Sequence, residues 1–266
     1  MIRYFASMIW AFLVLQACNT STTERKAVAT SKSDSLDSLP PNVNRSVRAP
    51  VKADTSAGQI FLLRSYRIWE GDPTAVLNKD WFDLYEQDGK YFLDKVDYVL
   101  RDGFDECAQV ATKNVESKRN SLLFLKINGL KPGIVEHVAI RHAEIWPKES
   151  VEYRFRNQLI TLKALGDIKS TQVQSDENEH EKLFHEVANY QLGYQLQGQQ
   201  KEMVIFRKEQ FDGVFMTTLF AGDIDADGQL DFVFSNPGNY EEESILLLLS
   251  NHGNPKIYEA DEQFDC

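Results

Sequence analysis

From Gln59 onward, apolar and polar positions alternate with a period of two. Val151, Tyr153 and Phe155 are separated by Glu152 and Arg154; Tyr190, Leu192, Tyr194 and Leu196 are separated by Gln191, Gly193 and Gln195; Ile160, Leu162 and Ala164 repeat the pattern. Such spacing puts the apolar side chains on one face of an extended strand. Asp88-Gly89, between Trp81 to Glu86 and Tyr91 to Leu100, supplies a turn dipeptide that tolerates positive φ and so predicts a hairpin. Asn157 and Gly198 mark two further reversals. Two runs, Ser121 to Ile127 and Ile245 to Leu249, are almost continuously apolar, which predicts strands covered on both faces at the centre of the fold. Helical stripes are scarce; Glu177 to Asn189, preceded by Asp176, fits either a short helix or a loop. About a dozen short strands predict a mainly β fold, either a β-sandwich or an open β-meander of hairpins, with two small β subdomains as a variant. No internal repeat is present, so a propeller is not expected.

The amino-terminal residues follow a different pattern. Arg3 precedes an uncharged apolar run of 12 residues, Tyr4 to Leu15, and Leu15-Gln16-Ala17-Cys18 follows. Crossing a bilayer takes about 20 apolar residues, so the run reads as a secretory signal. The Leu-x-Ala-Cys ending resembles the lipobox of bacterial lipoproteins. That resemblance implies that residues 1–17 are removed and that Cys18 carries a diacylglycerol and an acylated amino terminus, several chains together giving firm anchorage. Asn19 after the cysteine resembles lipoproteins sent onward to the outer membrane. Residues 18–58 contain no aromatic side chain and are rich in Ser, Thr, Ala, Asn and Pro, a tether with a reach of about 35 Å. The expected organisation is therefore a signal at 1–17, a lipidated cysteine and tether at 18–58, and a globular domain at 59–266.

Charge narrows the partners. The chain has 29 Lys+Arg against 40 Asp+Glu, a net charge of −11, which repels phosphate backbones and argues against nucleic acid. From Glu209 to the end there are 13 acidic residues against Lys256 alone. Part of that excess is concentrated in Gly222-Asp223-Ile224-Asp225-Ala226-Asp227-Gly228-Gln229-Leu230-Asp231. Four carboxylates in nine residues repel one another, and a turn does not need them. Calcium takes six to eight hard oxygens at about 2.3 to 2.6 Å in adaptable geometry. In a loop of this spacing Asp223, Asp225 and Asp227 supply side-chain oxygens, Gly228 makes the bend, Gln229 offers its backbone oxygen and Asp231 closes the shell. Position 12 is Phe234 rather than the glutamate of a helical EF-hand, so the expected setting is a structural calcium loop, 223–231, between two strands. Glu241-Glu242-Glu243 reads as a solvated acidic turn.

The loop resembles those of FG-GAP and VCBS-type repeats, in which a Gly-Asp-x-Asp-x-Asp-Gly-x-x-Asp hairpin holds calcium. The likeness covers Asp223, Asp225, Asp227, Gln229 and Asp231 only, and a single copy does not imply a propeller. Residues 80–266 are also similar to bacterial envelope lipoproteins with a β-rich body, one such loop near the end and a carboxy-terminal cysteine, a likeness that implies no activity.

With Cys18 lipidated, Cys107 and Cys266 remain, and in an oxidising compartment they have one intramolecular pairing. His180 and His185 are five apart and fail the zinc-protease spacing, and His137 with His142 has the same separation. The aromatic residues, Tyr66, Trp81, Phe124 and Trp146 among them, are expected mainly in the core rather than along a ligand groove. No nucleophile elbow or phosphate loop occurs. The sequence therefore points to a non-enzymatic envelope module, held at the membrane by its lipid and open to an envelope protein or glycan ligand. The alternative is a glycan hydrolase using two of Asp94, Asp97, Asp102 and Asp105 as acid and base.

Overall fold

A computed structural model describes residues 58–175, 181–252 and 254–264. The signal, Cys18, nearly all of the tether, His180 and Cys266 lie outside the described residues. The described residues form one compact unit. Among the described residues there are sixteen strands and one short 3-10 turn, Pro73–Val76, with no α-helix. All pairing is antiparallel, in four sheets, none closed into a barrel or propeller. The mainly β expectation holds, as does the absence of a propeller.

The first sheet is formed by β1 (Gly58–Phe61), β3 (Phe82–Gln87), β4 (Lys90–Lys95), β7 (Asn120–Ile127) and β8 (Gly133–Val135), in the order β1-β7-β3-β4-β8. Asp88 and Gly89 close the β3–β4 hairpin at φ of 52° and 73°, as their sequence predicts. The run Tyr91 to Leu100 does not form one strand. It breaks after Lys95, and β5 (Tyr98–Asp105) leaves to pair with β6 (Val110–Ser117), which also pairs with β2 (Ser65–Arg67) to give a three-stranded second sheet.

The third sheet comprises β9 (Ser150–Phe155), β10 (Gln158–Ser175), β11 (Glu181–Leu196) and β12 (Met203–Gln210). Here the expectation for Glu177 to Asn189 is corrected: from Glu181 the segment is strand, paired with β10 as far out as Ser175↔Glu181. Its polar composition reflects exposure rather than helix or loop. The outer half of this hairpin is covered on one face only: Phe184 and Val187 are buried in a hydrophobic cluster, with Trp146 against Phe184, whereas the cross-strand pair Val173 and Leu183 is 59% exposed at both residues.

The fourth sheet, β13 (Thr217–Gly222), β14 (Asp231–Ser235), β15 (Glu242–Leu249) and β16 (Lys256–Gln263), is the partition of the molecule. Successive side chains of a strand point to opposite faces. Phe232, Phe234, Leu246, Leu248 and Ile257 enter one hydrophobic cluster with the third sheet. Their neighbours Val233, Ile245, Leu247, Leu249 and Tyr258 enter a second cluster with the first and second sheets. The continuous apolar run of β15 thus has the reason its sequence implied: both faces are buried. Two cores sharing one sheet replace the variant of two separate subdomains. Of the singled-out aromatics, Tyr66, Trp81 and Phe124 are core and Trp146 is partly buried against it.

Candidate metal centre

The acidic loop joins β13 to β14 and is closed at its base by the pair Gly222↔Asp231. Its backbone turns back on itself through two residues at positive φ, Ala226 at 58° and Gly228 at 87°. Glycine adopts that region freely, whereas an L-residue such as alanine pays about 1 kcal/mol for it. The main-chain N–H groups inside the bend go to the aspartates: Asp227 N donates to Asp225 Oδ1 at 3.2 Å, Gly228 N to Asp223 Oδ2 at 3.0 Å, and Gln229 N to Asp227 Oδ1 at 2.8 Å. Folding the loop therefore gathers the carboxylates instead of letting them separate.

Asp223, Asp225 and Asp227 come together, each offering an oxygen within 4.8 Å of the others, a group that could hold a metal ion. Asp223 is buried at 7% exposure. Its Oδ2 is served by Gly228 N and by the Arg156 guanidinium at 3.3 Å, while Oδ1 is buried with no hydrogen-bond partner. A buried carboxylate oxygen without a donor or cation is costly. Electrostatics repeat the point. Burial, aided by the charge of Asp227, pushes the Asp225 carboxyl up to about 6, and burial raises Asp223 against the opposing pull of Gly228 N–H and Arg156. The site is organised for charge that its own residues do not neutralise.

Asp231 and Gln229 are placed differently from the three. Asp231 is fully buried; its Oδ2 accepts from Ile224 N at 2.8 Å and its Oδ1 from Ser250 N at 2.8 Å. It braces the loop against the end of β15, and burial pushes its carboxyl upward. Oδ1 also accepts from Ser250 Oγ at 3.2 Å, whereas Oδ2 keeps a second lone pair. The Gln229 side chain donates to Asp227 Oδ2 at 3.0 Å and accepts from His252 N at 3.0 Å, fixing the loop to the segment after β15. Glu241, Glu242 and Glu243 lie by the β14–β15 turn, at the other end of β14 from the loop; Glu243 pairs with Arg64 at 3.1 Å and Glu242 caps Gly238 N.

Two residues that the sequence reading did not single out complete the surroundings. Glu136, just after β8, accepts from Asp223 N through its carbonyl at 2.8 Å, and its side chain takes Arg156 NH2 at 2.7 Å and Nε at 3.1 Å. Arg156 sits in the β9–β10 turn. Nothing in the local sequence marks either residue, because each reaches the loop from a different sheet.

The carboxylates considered for catalysis each face a different cation. Asp94 faces Arg119 at 3.4 Å, Asp97 faces Lys118 at 2.7 Å, Asp102 faces Lys113, and Asp105 faces Arg67 at 2.7 Å. The Ala108 N–H and the Arg67 guanidinium hold Asp105 below the usual carboxylate range. A further carboxyl, Asp83, is raised by burial, accepts from Ser121 Oγ at 2.8 Å and Ser117 Oγ at 3.1 Å, and has 0% exposure; it is sealed from any substrate. His185 bonds Thr171, and His137 packs against Tyr91. Cys107 is disulfide-bonded. Arg67, which pairs with Asp105, also donates to Phe264 O at 3.2 Å and so brings Phe264 to this region.

A scan against family models finds none that matches the chain, and searches of curated proteins and of solved structures likewise return no match.

Proposed function

We propose that this chain is a calcium-stabilised β module of the bacterial cell envelope, carried on a lipid anchor at Cys18 and serving a binding or structural role toward an envelope protein or glycan. The observation that carries the cation reading is Asp223 Oδ1, a buried and unpartnered carboxylate oxygen on the residue that opens a three-aspartate group. Hard oxygen donors without histidine or cysteine favour calcium over zinc, and the crowding of charge in a bent loop favours calcium over the strictly octahedral magnesium. Asp223, Asp225 and Asp227 would hold it by side chains, with Gln229 through its carbonyl and Asp231 beside them. When bound, the ion supplies positive charge among mutually repelling carboxylates.

The setting favours a structural role. Three separate segments meet at the loop: the chain after β8 through Glu136, the β9–β10 turn through Arg156, and the end of β15 through Ser250. An ion that fixes the loop fixes these joints together. At a calcium concentration about 100 times the dissociation constant the gain in folding free energy is about 2.7 kcal/mol. The outer-membrane address rests on the Tyr4 to Cys18 pattern and Asn19, and the ion pairing of Asp94, Asp97, Asp102 and Asp105 favours a module over a hydrolase.

Melting of the purified protein in CaCl2 and in EGTA tests the cation reading. Calcium raises the midpoint of the wild type, and Asp227→Ala removes the rise; identical wild-type curves in both buffers refute it. For the anchor, labelled palmitate is incorporated by the wild type and Cys18→Ser moves to the soluble fraction. A membrane-bound, unlabelled wild type overturns that part.

A further inference from the structure

Arg156 lies outside the nine-residue loop, yet it supplies the only guanidinium paired with the loop's carboxylates among the described residues. It occupies the β9–β10 turn at a φ of 50°, with NH2 between two acceptors, Glu136 Oε2 at 2.7 Å and Asp223 Oδ2 at 3.3 Å. The two carboxylate oxygens are therefore no more than about 6 Å apart, with one positive group between them. The exposures differ sharply. The Asp223 side chain is 5% exposed, whereas those of Arg156 and Glu136 are 49% and 56% exposed. Asp223 cannot exchange its partner for water, but Arg156 can withdraw toward solvent with little loss of burial. Gly228 allows this close approach, since a Cβ there would lie 2.8 Å from Arg156 NH1.

We propose that Arg156, held by Glu136, is an exchangeable counter-charge for the cation site. In the ion-free protein the guanidinium neutralises Asp223 and keeps the loop assembled; when a divalent cation enters, Arg156 gives up Asp223 and stays with Glu136. The inference rests on the reading of residues 223–231 as a cation loop and adds what sets its affinity. A guanidinium does not lose its proton at accessible pH, so it competes with the ion under all working conditions. By linkage, ion and guanidinium each weaken the other's hold on Asp223 by the same factor. Glu136 sets the balance from the other side: its carboxylate draws Arg156 away from Asp223, and replacing that carboxylate by an amide leaves the guanidinium to Asp223 alone.

Two substitutions therefore shift affinity in opposite directions. Calorimetric titration of the purified protein with CaCl2 is expected to give a dissociation constant about threefold or more tighter for Arg156→Gln and about threefold or more weaker for Glu136→Gln. Arg154→Gln, which removes the same charge from the exposed face of β9, stays within about twofold of wild type, as a screened charge without contact should. In EGTA Arg156→Gln melts below the wild type, and in saturating calcium the two coincide. A purely structural role would lower both midpoints alike. If the wild type takes up no calcium, the cation reading itself fails. If the wild type titrates but Arg156→Gln binds equally or more weakly, or loses stability equally in both buffers, the counter-charge is refuted and the cation site stands. Should Arg156→Gln fail to fold, the wild-type and Glu136→Gln titrations decide, and an unchanged constant for Glu136→Gln overturns the exchange.

Discussion

Replacing Asp225 by asparagine is expected to stabilise the ion-free protein and destabilise the calcium-loaded one. Burial and the neighbouring Asp227 charge carry the Asp225 carboxyl from 3.8 to about 6. Its ionised form is thus disfavoured in the folded state, by up to about 3 kcal/mol at pH 7. Asp225 is only partly buried, so solvent screening reduces this to about 1–2 kcal/mol. Asparagine keeps an oxygen able to accept from Asp227 N, now at 3.2 Å from Asp225 Oδ1, and removes the charge. In EGTA at pH 7.5, Asp225→Asn should therefore melt about 2–8 °C above the wild type, given about 2–4 °C per kcal/mol for a domain of this size. In calcium the order inverts, because the variant forfeits most of the roughly 2.7 kcal/mol the wild type gains at 100 times its dissociation constant. The pH dependence has a definite sign. A carboxyl with a raised folded-state pKa contributes relative stability that is fully present below its unfolded value, near 3.8, and is lost as pH rises through about 6. The gap between variant and wild type in EGTA should accordingly close on acidification from pH 6 to pH 4. Differential scanning calorimetry in both buffers measures all three effects. A variant that melts below the wild type in EGTA at pH 7.5 would show that Asp225 is not repelled in the fold, and the argument from crowded charge to a bound ion would lose its basis.

Asp231→Ala should cost about 2–4 kcal/mol in urea denaturation, because it leaves Ile224 N–H and Ser250 N–H without their buried acceptor; a loss under 1 kcal/mol would mean the brace is unimportant. Phe232→Ala, in the partition sheet and fully buried against Tyr153, should cost about 3–5 kcal/mol by the same assay, the range for a large cavity in a packed core. Alkylation without reductant followed by peptide mass mapping should leave Cys107 unlabelled and recover it joined to a peptide containing Cys266, while labelling of both thiols would exclude the bridge. Closing a loop of this length removes on the order of 5 kcal/mol of unfolded-chain freedom on the entropic account, so reductant should also lower the melting midpoint.

What the sequence determined by itself is what acts over a few residues. The Asp88-Gly89 turn, the alternation of β9 through β11 and the aspartate spacing of 223–231 were legible because side-chain direction and backbone φ depend on immediate neighbours. The apolar run of β15 even announced its burial on two faces, since a strand with one wet face would have to alternate. The polar stretch beginning at Glu181 carried no such local signal. It is strand because β10 offers it a hydrogen-bonded partner, and the choice between loop and ladder lies in that partner. The pairing of Gly58 with Ile127, the sharing of one sheet between two cores and the sealing of Asp83 belong to the same class. At the candidate site the division runs between residues. Three aspartates converge by local bending, but Asp231 turns to Ser250, Gln229 turns to His252, and Glu136 and Arg156 arrive from other sheets. Those contacts join positions 19 to 87 residues apart, and whether they form depends on how all four sheets close on one another. Only the folded chain settles that, because the free energy that brings distant carboxylates and guanidinium together comes from burying the two cores, not from the loop.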